Sequence, residues 1–507
     1  MIGLRHSLLC LLTALMGACA VGPNFRRPAS PAVPGYLPAS APAESGSPPT
    51  QAPDTQQLLE GMAIPAQWWT LFRSQPLDEL IRRALRNNPT TQAAQAALRQ
   101  AQENYYAQLG TLLPTVQADY SFERQRNATG TLAPTLSSGQ SLFNLHTAQV
   151  SVSYALDVFG GNRRAAESLH AAAEAQKYQL EATYLTLAAN VVTTAIQEAS
   201  VRAQLTATND IVRSEREALQ ILRRQYQLGS IAMTDVMAQE ATLATTEAGV
   251  PGLQKQLEQA QHALAVLAGS FPNSEPQQQF QLPGLSQQPG AAIAAAPIPA
   301  ALQLPLALPL SLPSQLVRQR PDILQAEANL HAATAEVGVA IANMLPQFDL
   351  TALAGSAATQ FAQLFAAGNR FWSGGASLTQ TLFEGGTLLH RVRASRAAMD
   401  QAGAQYRSVV LSAFQNVADT LSALRLDAQA VEASSRAQQA AEQNLLTVRR
   451  NVELGSVGYL ALLNAQQTYQ QAVLGLAQAQ ANRYSDTAAL FQALGGGWWN
   501  RKDPAAD

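Results

Sequence analysis

The chain has almost no cysteine. Its 507 residues include only two, Cys10 and Cys19, and both lie within the first twenty positions. A disulfide framework and a cysteine-ligated metal or redox centre are therefore excluded for the rest of the chain. Charged residues are also scarce, at 13% of the chain, which is about half of the usual share, and the formal net charge is −2. This near-neutral balance argues against a nucleic-acid partner.

Long apolar runs are missing except at the N-terminus. There Arg5 precedes an apolar stretch at 8–16, and the small residues Gly17 and Ala18 precede Cys19. This order is typical of a bacterial secretory signal, so residues 1–18 are predicted to be a signal peptide. Because no later stretch reaches 18 apolar residues, no transmembrane helix is expected in the mature chain. If the protein crosses a membrane, strands must do it.

The residues around Cys19 resemble the lipobox of bacterial lipoproteins, in which the new N-terminal cysteine is acylated. Met16 departs from the usual Leu of that pattern, and Ala20 stands where an Asp commonly retains lipoproteins at the inner membrane. The alternative is an ordinary signal peptide with an incidental cysteine. The segment 19–66 is rich in Pro, Ala and Ser over its first part, which predicts an acylated tether without a fold.

Proline is absent from two long segments, 162–228 and 387–454, and glycine occurs in them once, at Gly403. Each has about 67 residues, so a continuous helix would be roughly 100 Å long at a rise of 1.5 Å per residue. Apolar side chains in the second segment step by three and four residues, as in a coiled-coil seam. The seam positions are Val410, Phe414, Val417, Leu421, Leu424, Ala428 and Val431. An isolated coiled-coil stalk is the alternative reading.

The chain is one long unit written twice. Asn88-Pro89 and Leu113-Pro114 recur as Arg320-Pro321 and Leu345-Pro346, and the Leu-Gly-Ser at 228–230 recurs at 454–456. A duplication this long predicts one architecture with internal pseudo-symmetry. The predicted parts are a first repeat at 67–269, a linker or belt at 270–313, a second repeat at 314–497 and a tail at 498–507.

Each repeat contains two short segments in which apolar and polar residues alternate, the signal of a strand with two different faces. The apolar positions are Val116, Ala118, Tyr120, Phe122; Ala148, Val150, Val152, Tyr154, Leu156, Val158; Phe348, Leu350, Ala352, Ala354; and Ala376, Leu378, Leu382. The predicted strand pairs occupy 115–158 and 347–383. Half-buried strands of a soluble sheet are the alternative. If the strands span a bilayer, four cannot close a barrel, since the smallest membrane barrels have about eight. Two or three copies would close one, and the spacing does not choose between them.

The remaining periodic segments predict helices that flank each strand pair. One helix precedes each pair, near Leu77–Gly110 and Ser314–Met344. A returning helix follows each long helix, near Thr234–Ala268 and Tyr459–Leu494. Gly229 and Gly455 fit the position just after a helix end.

Several motifs together resemble the outer membrane factor family, of TolC, OprM and NodT type. The run Leu312-Pro313-Ser314-Gln315-Leu316, then Arg320-Pro321-Asp322-Ile323 and Ala326-Glu327, looks like the family's LPSxL…RPDI…AE signature. The sequence CAVGPNFRRP at 19–28, the segment from Trp68-Trp69 to Asn88 and the ending at 493–498 are also similar to the family. The similarity covers nearly the whole mature chain.

The resemblance implies a mainly α fold with transmembrane β-strands. The duplicated hairpins of long helices would form a periplasmic α-barrel, and four strands per chain would join a twelve-stranded outer membrane β-barrel in a homotrimer. Its partners would be further copies of itself, a periplasmic adaptor, an inner membrane pump of the resistance-nodulation-division (RND) type and outer membrane lipid. We expect no enzymatic activity and no cofactor beyond the lipid on Cys19. The alternatives are the exit duct of an ABC-type (type I) secretion system and, more remotely, a structural lipoprotein.

The resemblance also implies where the duct works. The turns that end the long helices would contact the adaptor, through Tyr226, Leu228, Gly229, Ser230, Leu454, Gly455 and Ser456. Plain helix termination is the alternative reading for these residues. In relatives the closed aperture uses a Leu and an Asp in a stretch like YLTLLDAQR, which here is 459–467.

The gate predicted from that stretch consists of Leu460, Asn464 and Gln467. Asn464 stands where the family has Asp, and Gln467 where it has Arg. We therefore expect closure to depend weakly on cations and pH. The alternative is that Leu460 is only core packing. Asp235, in the first repeat, is expected to cap the returning helix rather than to line the pore.

Overall fold

The computed structural model describes residues 20–33, 35–36, 56–126, 128, 141–273, 279–282 and 301–501. The predicted signal peptide 1–18 and Cys19 lie outside the described residues. Among the helices of the described part, none is long and apolar enough to cross a membrane.

The described residues form eight α-helices and six strands, whose order repeats once along the chain. The strands are β1 (Gln57–Glu60), β2 (Thr115–Arg126), β3 (Leu142–Leu156), β4 (Ala307–Leu310), β5 (Gln347–Ala358) and β6 (Arg370–Thr379). The helices are α1 (Gln75–Asn87), α2 (Pro89–Gly110), α3 (Gly161–Gln227), α4 (Met233–Leu267), α5 (Pro313–Gln319), α6 (Pro321–Ala342), α7 (Thr387–Glu453) and α8 (Tyr459–Ala493). The order β1-α1-α2-β2-β3-α3-α4 recurs as β4-α5-α6-β5-β6-α7-α8. The two long helices and the two returning helices lie where the sequence predicts them.

The single helix predicted before each strand pair is wrong, because each is two helices. The breaks fall at Asn88 and Arg320, which are extended with ψ 126° in both cases. Each residue precedes a proline, whose ring disfavours helical geometry in the residue before it. The proline then opens the next helix, where its missing N–H costs nothing.

The two break residues do the same structural work in the two copies. Asn88 Nδ2 donates to the carbonyl of Leu267, the last residue of α4, over 2.9 Å. Arg320 Nη1 donates to the carbonyl of Ala493, the last residue of α8, over 2.8 Å, and its other nitrogens hold Asp322. Each side chain satisfies a carbonyl that a helix end leaves without a partner. The Arg-Pro-Asp-Ile motif therefore ties the returning helix to the start of its repeat.

The four longer strands form one antiparallel sheet in the order β2-β3-β5-β6. Thr115 pairs with Ser153, His146 with Ala358, and Phe348 with Leu378, so the two strand pairs of the duplicated unit lie side by side. The predicted fourth strand is partly wrong, because β6 ends at Thr379 and Leu382 lies beyond it. β2 and β6 are the free edges of this sheet.

Two compact units divide the described residues, and neither follows one copy of the repeat. The first comprises the described residues of 20–28, Ala97–Lys177 and Gln325–Arg407 and contains the four-stranded sheet. The second comprises the described residues of Ala29–Ala96, Tyr178–Leu324 and 408–501. Its core includes Trp68, stacked on Phe491 with ring centroids 5.3 Å apart. In the seam predicted on α7, Val410, Val417, Leu421 and Leu424 are buried, whereas Ala428 is exposed.

The described residues that follow Cys19 contradict the prediction of a tether without a fold. Arg164 on α3 donates to the carbonyl of Val21 and to Asn24 Oδ1, over 3.1 and 2.6 Å. Phe25 stacks on His331 with ring centroids 4.4 Å apart. A Cβ on Gly22 would lie 2.5 Å from the Cα of Gly338, so only glycine allows this close approach. The composition of this segment does not reveal these contacts, because the partner residues lie far along the chain.

The predicted linker 270–313 is ordered in its last part. β4 pairs in parallel with β1, with Gln57 opposite Ala307, which joins the starts of the two repeats. Leu302 and Leu308 are fully buried. These residues read as irregular in sequence because a four-residue strand carries too little alternation to detect.

Candidate functional site at the hairpin ends

The long helices end in matching caps. Gly229 and Gly455 have φ angles of 75° and 72°, a left-handed geometry that favours glycine. The N–H of Gly229 donates to the carbonyl of Tyr226, and the N–H of Ser230 to the carbonyl of Gln225. The same pair of bonds closes the second hairpin at Gly455. This is the Schellman arrangement, so the sequence prediction of a glycine cap is confirmed.

The turns expose apolar side chains that the caps do not need. Leu228 is 77% exposed and Leu454 is 72% exposed, while Tyr226 and Ser230 beside them are also exposed. A Cβ on either cap glycine would meet nothing within 4 Å. Helix termination accounts for the glycines, but it gives no reason for a leucine on the surface of each turn. Each turn thus carries an exposed apolar side chain that the cap geometry does not require.

The three predicted gate residues form one exposed stripe on α8. Leu460 is 67% exposed, and Asn464 and Gln467 are exposed four and seven residues later. The opposite face, including Leu462 and Leu463, is buried. The alternative that Leu460 is core packing of its own chain is therefore wrong. The stripe carries an apolar side chain followed by two neutral amides.

The prediction that Asp235 caps the returning helix is wrong. Helix α4 begins at Met233, and Ala232 takes the cap position with no side-chain cap bond. Asp235 lies in the first turn, where a carboxylate is favoured by the exposed N–H groups of the helix start.

A buried polar chain beneath the stripe joins the two hairpins. Tyr459, the residue before Leu460, donates its hydroxyl to Gln239 Oε1 on α4 over 2.9 Å. Gln239 is fully buried, and its Nε2 donates to the backbone carbonyl of Glu215 on α3 over 3.0 Å. Thr246 Oγ1 lies 3.2 Å from Glu215 Oε1. Helices α3 and α4 of the first repeat and α8 of the second repeat therefore meet through side-chain hydrogen bonds.

An apolar cluster surrounds this chain of hydrogen bonds. Its buried members are Val212, Leu219, Leu222, Val236 and Leu243, with Ile231, Val250 and Tyr459 packed against them. Burial raises the pKa of the Glu215 carboxyl, a contact with Thr246 opposes the rise, and the nearby Glu247 charge adds to it. Burial, followed by the charge of Glu215, raises the pKa of Tyr459 to about 12. Glu215 Oε2 is buried and has no hydrogen-bond partner among the described residues.

A pair of carboxyls, Asp427 on α7 and Asp486 on α8, lies elsewhere in the second hairpin. Burial raises the pKa of Asp427 to about 7, and its hydrogen bond to Asp486 and that residue's charge add to the rise. Arg483 opposes the shift. Repulsion between two close carboxylates disfavours ionising both. Burial and the neighbouring carboxyl therefore hold the pKa of Asp427 well above that of an ordinary Asp.

Three comparisons with known proteins agree on one class. The family described as outer membrane efflux protein matches residues 80–270 and 312–496. The pyoverdine export outer membrane protein OpmQ of Pseudomonas putida is 31% identical over 449 residues, which cover 87% of this chain and 90% of that protein. The toluene efflux pump outer membrane protein TtgC of Pseudomonas putida is 26% identical over 498 residues, 98% of this chain and 96% of that protein. The solved outer-membrane channel OprN is 26% identical with a TM-score of 0.81, covering 95% of this chain and 100% of that one.

The duplicated long-helix hairpins with their strand pairs are the fold of outer membrane channels. The chain belongs to the outer membrane efflux protein family, which is a family of channel proteins rather than of enzymes. It is an outer membrane channel that serves as the exit duct of an efflux system.

Proposed function

We propose that three copies of this chain form a passive duct through which small molecules leave the cell. The strands cross the outer membrane, the hairpins reach into the periplasm, and the lipid on Cys19 adds an anchor. A periplasmic adaptor and an RND-type pump of the inner membrane supply cargo and energy. The duct performs no chemistry and needs no cofactor.

The two faces of the sheet carry this proposal. Along β2, Val116, Ala118 and Tyr120 point to one face, and Gln117 and Asp119 to the other. A similar division runs along most of the other three strands, although Leu145, Leu353 and Phe371 lie on the polar face. Such a division is expected for lipid on one side and water on the other. The unpaired edges of β2 and β6 favour closure by further copies, since an open edge is not tolerated in lipid.

Passage is controlled at the hairpin ends in this proposal. The exposed leucines Leu228 and Leu454 suit an apolar contact with the adaptor. The stripe of Leu460, Asn464 and Gln467 faces the axis and narrows the closed duct. Three copies of Leu460 would then form an apolar ring.

The cargo is small molecules rather than proteins. OpmQ is named for pyoverdine export and TtgC for toluene efflux, and both are similar to this chain over most of its length. Because two relatives of one fold carry such different names, cargo choice belongs to the pump. A secretion duct fed by an ABC transporter is the alternative, and no feature of the described residues favours it.

A single cysteine tests the gate and the duct together. Once the leader is removed and Cys19 is acylated, the chain has no free thiol, because Cys10 and Cys19 are its only cysteines. We expect cells with Leu460→Cys to lose ethidium efflux after treatment with a bulky maleimide. Leu446→Cys is the matched control, because Leu446 is also an exposed leucine, on α7.

A gel shift checks that the introduced cysteine is labelled in both the Leu460→Cys and the Leu446→Cys variant. Full labelling at position 460 with unchanged ethidium efflux would show that this residue does not line the passage. The pump is identified by crosslinking the tagged protein in its native cells and sequencing what co-purifies. Recovery of an ABC transporter in place of a proton-driven pump would overturn the small-molecule assignment.

A further inference from the structure

The charged residues of the four-stranded sheet are sorted by sign between its faces. Arg124 and Arg126 on β2 and Arg370 on β6 share the face that carries the apolar residues. Asp119, Glu123 and Asp349 point to the polar face. All three arginines are exposed, and within the described part of the chain no ion pair involves any of them. A face proposed to meet hydrocarbon thus ends in positive charge without acidic partners.

The arginines lie at one end of the sheet. Arg126 ends β2 and Arg370 begins β6, so both are at the loop end, away from the chain ends that lead into α3 and come from α2. The step from Val116 to Arg124 spans roughly 27 Å along the strand, or about 20 Å along the membrane normal at the usual tilt. The outward apolar band of such barrels is about 25 Å tall. With Val116 at the inner edge of this band, Arg124 lies near its outer edge and Arg126, about 25 Å along the normal, reaches the headgroup level.

An aromatic group lies on the same face, below Arg124 and Arg126 on β2. It lies in the row of Arg370, which is in register with Tyr120 across the sheet. Tyr120 Oη is 2.9 Å from His146 Nδ1, and Phe122 packs on the same imidazole with ring centroids 4.8 Å apart. Phe361 meets Tyr120 edge-on at 6.1 Å. Trp372 on β6 is 83% exposed. Aromatic rings of this kind mark the boundary between hydrocarbon and headgroups.

The loop from β5 to β6 is held down over this face. Ser356 Oγ bonds to the carbonyls of Leu364 and Asn369, and Asn369 Nδ2 donates to the carbonyl of Gln363. Leu364 is buried, while Phe361 and Phe365 stay 64% and 74% exposed. Internal hydrogen bonds thus fix a loop that exposes two phenylalanines, of which Phe361 contacts Tyr120 and His146.

We propose that Arg124, Arg126 and Arg370, with the aromatic group beside them, bind the phosphorylated headgroup of a glycolipid of the outer leaflet. This inference rests on the proposed function, in which the apolar face meets the outer membrane. Arginine is suited to the role because its planar fork makes paired hydrogen bonds with phosphate oxygens. The occupant is a lipid and not a free phosphate, because exposed phenylalanines and a tryptophan flank the charges and suit acyl chains.

Ring closure would complete the site from two copies. β2 and β6 are the two free edges of the sheet, so in a closed barrel β6 of one copy lies beside β2 of the next. Arg370 of one copy then joins Arg124 and Arg126 of its neighbour at the same end of adjacent strands. Three such clusters per trimer would each hold one anionic headgroup.

The test uses the full-length trimer in nanodiscs of phosphatidylcholine that contain lipid A. Lipid retained by the protein is counted by native mass spectrometry after release from the disc. A basic residue near an anionic surface contributes about 1 kcal/mol, which is roughly fivefold in binding. We expect the triple variant Arg124→Gln, Arg126→Gln, Arg370→Gln to bind lipid A roughly a hundredfold more weakly. Wild-type protein should also prefer lipid A to monophosphoryl lipid A.

The matched control removes the same charge elsewhere. Arg436→Gln, Arg449→Gln, Arg450→Gln changes three exposed arginines on α7 and should leave lipid A retention unchanged. Equal retention by the wild type and the strand triple variant, or equal binding of lipid A and its monophosphoryl form, would overturn the proposal.

A spin label separates this failure from failure of the membrane assignment. Ala352 is exposed near the middle of the apolar face, so a nitroxide on Ala352→Cys should be relaxed by oxygen and not by a water-soluble nickel chelate. A lipid-exposed label with unchanged lipid A binding refutes only the headgroup site. A water-exposed label refutes the proposed membrane-spanning sheet and, with it, the site.

Discussion

Replacing Tyr459 by phenylalanine should loosen the start of α8 from the first hairpin. The hydroxyl donates to Gln239 Oε1 over 2.9 Å. Within one chain, this bond joins the second repeat, which carries the gate stripe, to the first repeat. The aromatic ring stays in the cluster with Val236 and Ile231, so the change removes a hydrogen bond and little packing. The effect should therefore report the polar tie alone.

The size of the effect follows from the burial of the acceptor. Gln239 is fully buried, so water cannot replace the lost hydroxyl. A typical net hydrogen bond contributes about 1 kcal/mol, and leaving a buried acceptor unpaired costs about 1–3 kcal/mol. We take about 2 kcal/mol, which corresponds to a roughly 30-fold larger population of the opened end.

Hydrogen exchange measures this opening directly. Amides in the first turns of α8, within 459–467, exchange through local opening, so their rates follow its equilibrium constant. We expect exchange there to become roughly 30-fold faster in Tyr459→Phe, and peptides from the sheet to stay unchanged. Single channels in planar bilayers should open more often in the same variant.

Two further variants decide whether the reasoning holds. Tyr226→Phe removes a hydroxyl from an exposed tyrosine and should change nothing in 459–467. Gln239→Leu removes the acceptor that Tyr459→Phe leaves unpaired. The free energy lost on Gln239→Leu should therefore be smaller in the Tyr459→Phe background than in the wild type. Unchanged exchange at 459–467 in Tyr459→Phe, or strictly additive effects in the double variant, would refute the tie.

Two pH predictions concern the buried carboxyls. The folded state raises the pKa of Glu215 above its ordinary value of 4.5. The stability of the wild type should therefore fall as pH rises through the folded pKa. Glu215→Gln should remove this part of the pH dependence of hydrogen exchange at the hairpin ends. For Asp427 the folded pKa of about 7 lies above the ordinary 3.8, so stability is present below 3.8 and is lost as pH rises towards and through about 7. Asp427→Asn should make the thermal unfolding midpoint less dependent on pH over this window and raise the midpoint at about pH 8. Asp419→Asn, at an exposed site on the same helix, should do neither. A steep pH dependence that persists in Asp427→Asn would contradict the assignment.

The long elements could be predicted because their signal extends over many residues. The segments of α3 and α7 have 67 residues each and contain no proline. Few structures other than a helix fit such a segment. Alternation over about eight residues likewise predicts β2 and β5, although each strand extends to twelve residues. The breaks at Asn88 and Arg320 were predictable too, since each residue precedes a proline, but the helical period continues on both sides and by itself predicts one helix.

The short and long-range features were not predictable from local pattern. β1 and β4 have four residues each and exist because they pair with each other. The segment after Cys19 is ordered by Arg164, a residue more than a hundred positions away, and its own composition reads as a tether. Contacts between distant residues leave no periodic trace in one sequence.

The polar chain at the hairpin ends did leave a trace that was missed. Val212, Glu215, Leu219 and Leu222 step by three and four residues, so Glu215 occupies a core position of the seam. On α4, Val236, Gln239, Leu243 and Thr246 do the same. A carboxyl, an amide and a hydroxyl at core positions of two neighbouring seams indicate a buried polar contact, because each must find a partner.

Buried Glu215 changes what Asn464 implies for gating. With a neutral amide where the family has a carboxylate, the exposed stripe offers no anionic ring, and the sequence predicts weak dependence on both cations and pH. The backbone carbonyl of Glu215 is linked through Gln239 to Tyr459, the residue before Leu460, and the Glu215 carboxyl accepts from Thr246. Glu215 is only 1% exposed. A hydrated divalent ion cannot reach it, but a proton can follow local opening. The two sensitivities should therefore separate: closure stays indifferent to divalent cations and tightens as falling pH neutralises the buried carboxyl.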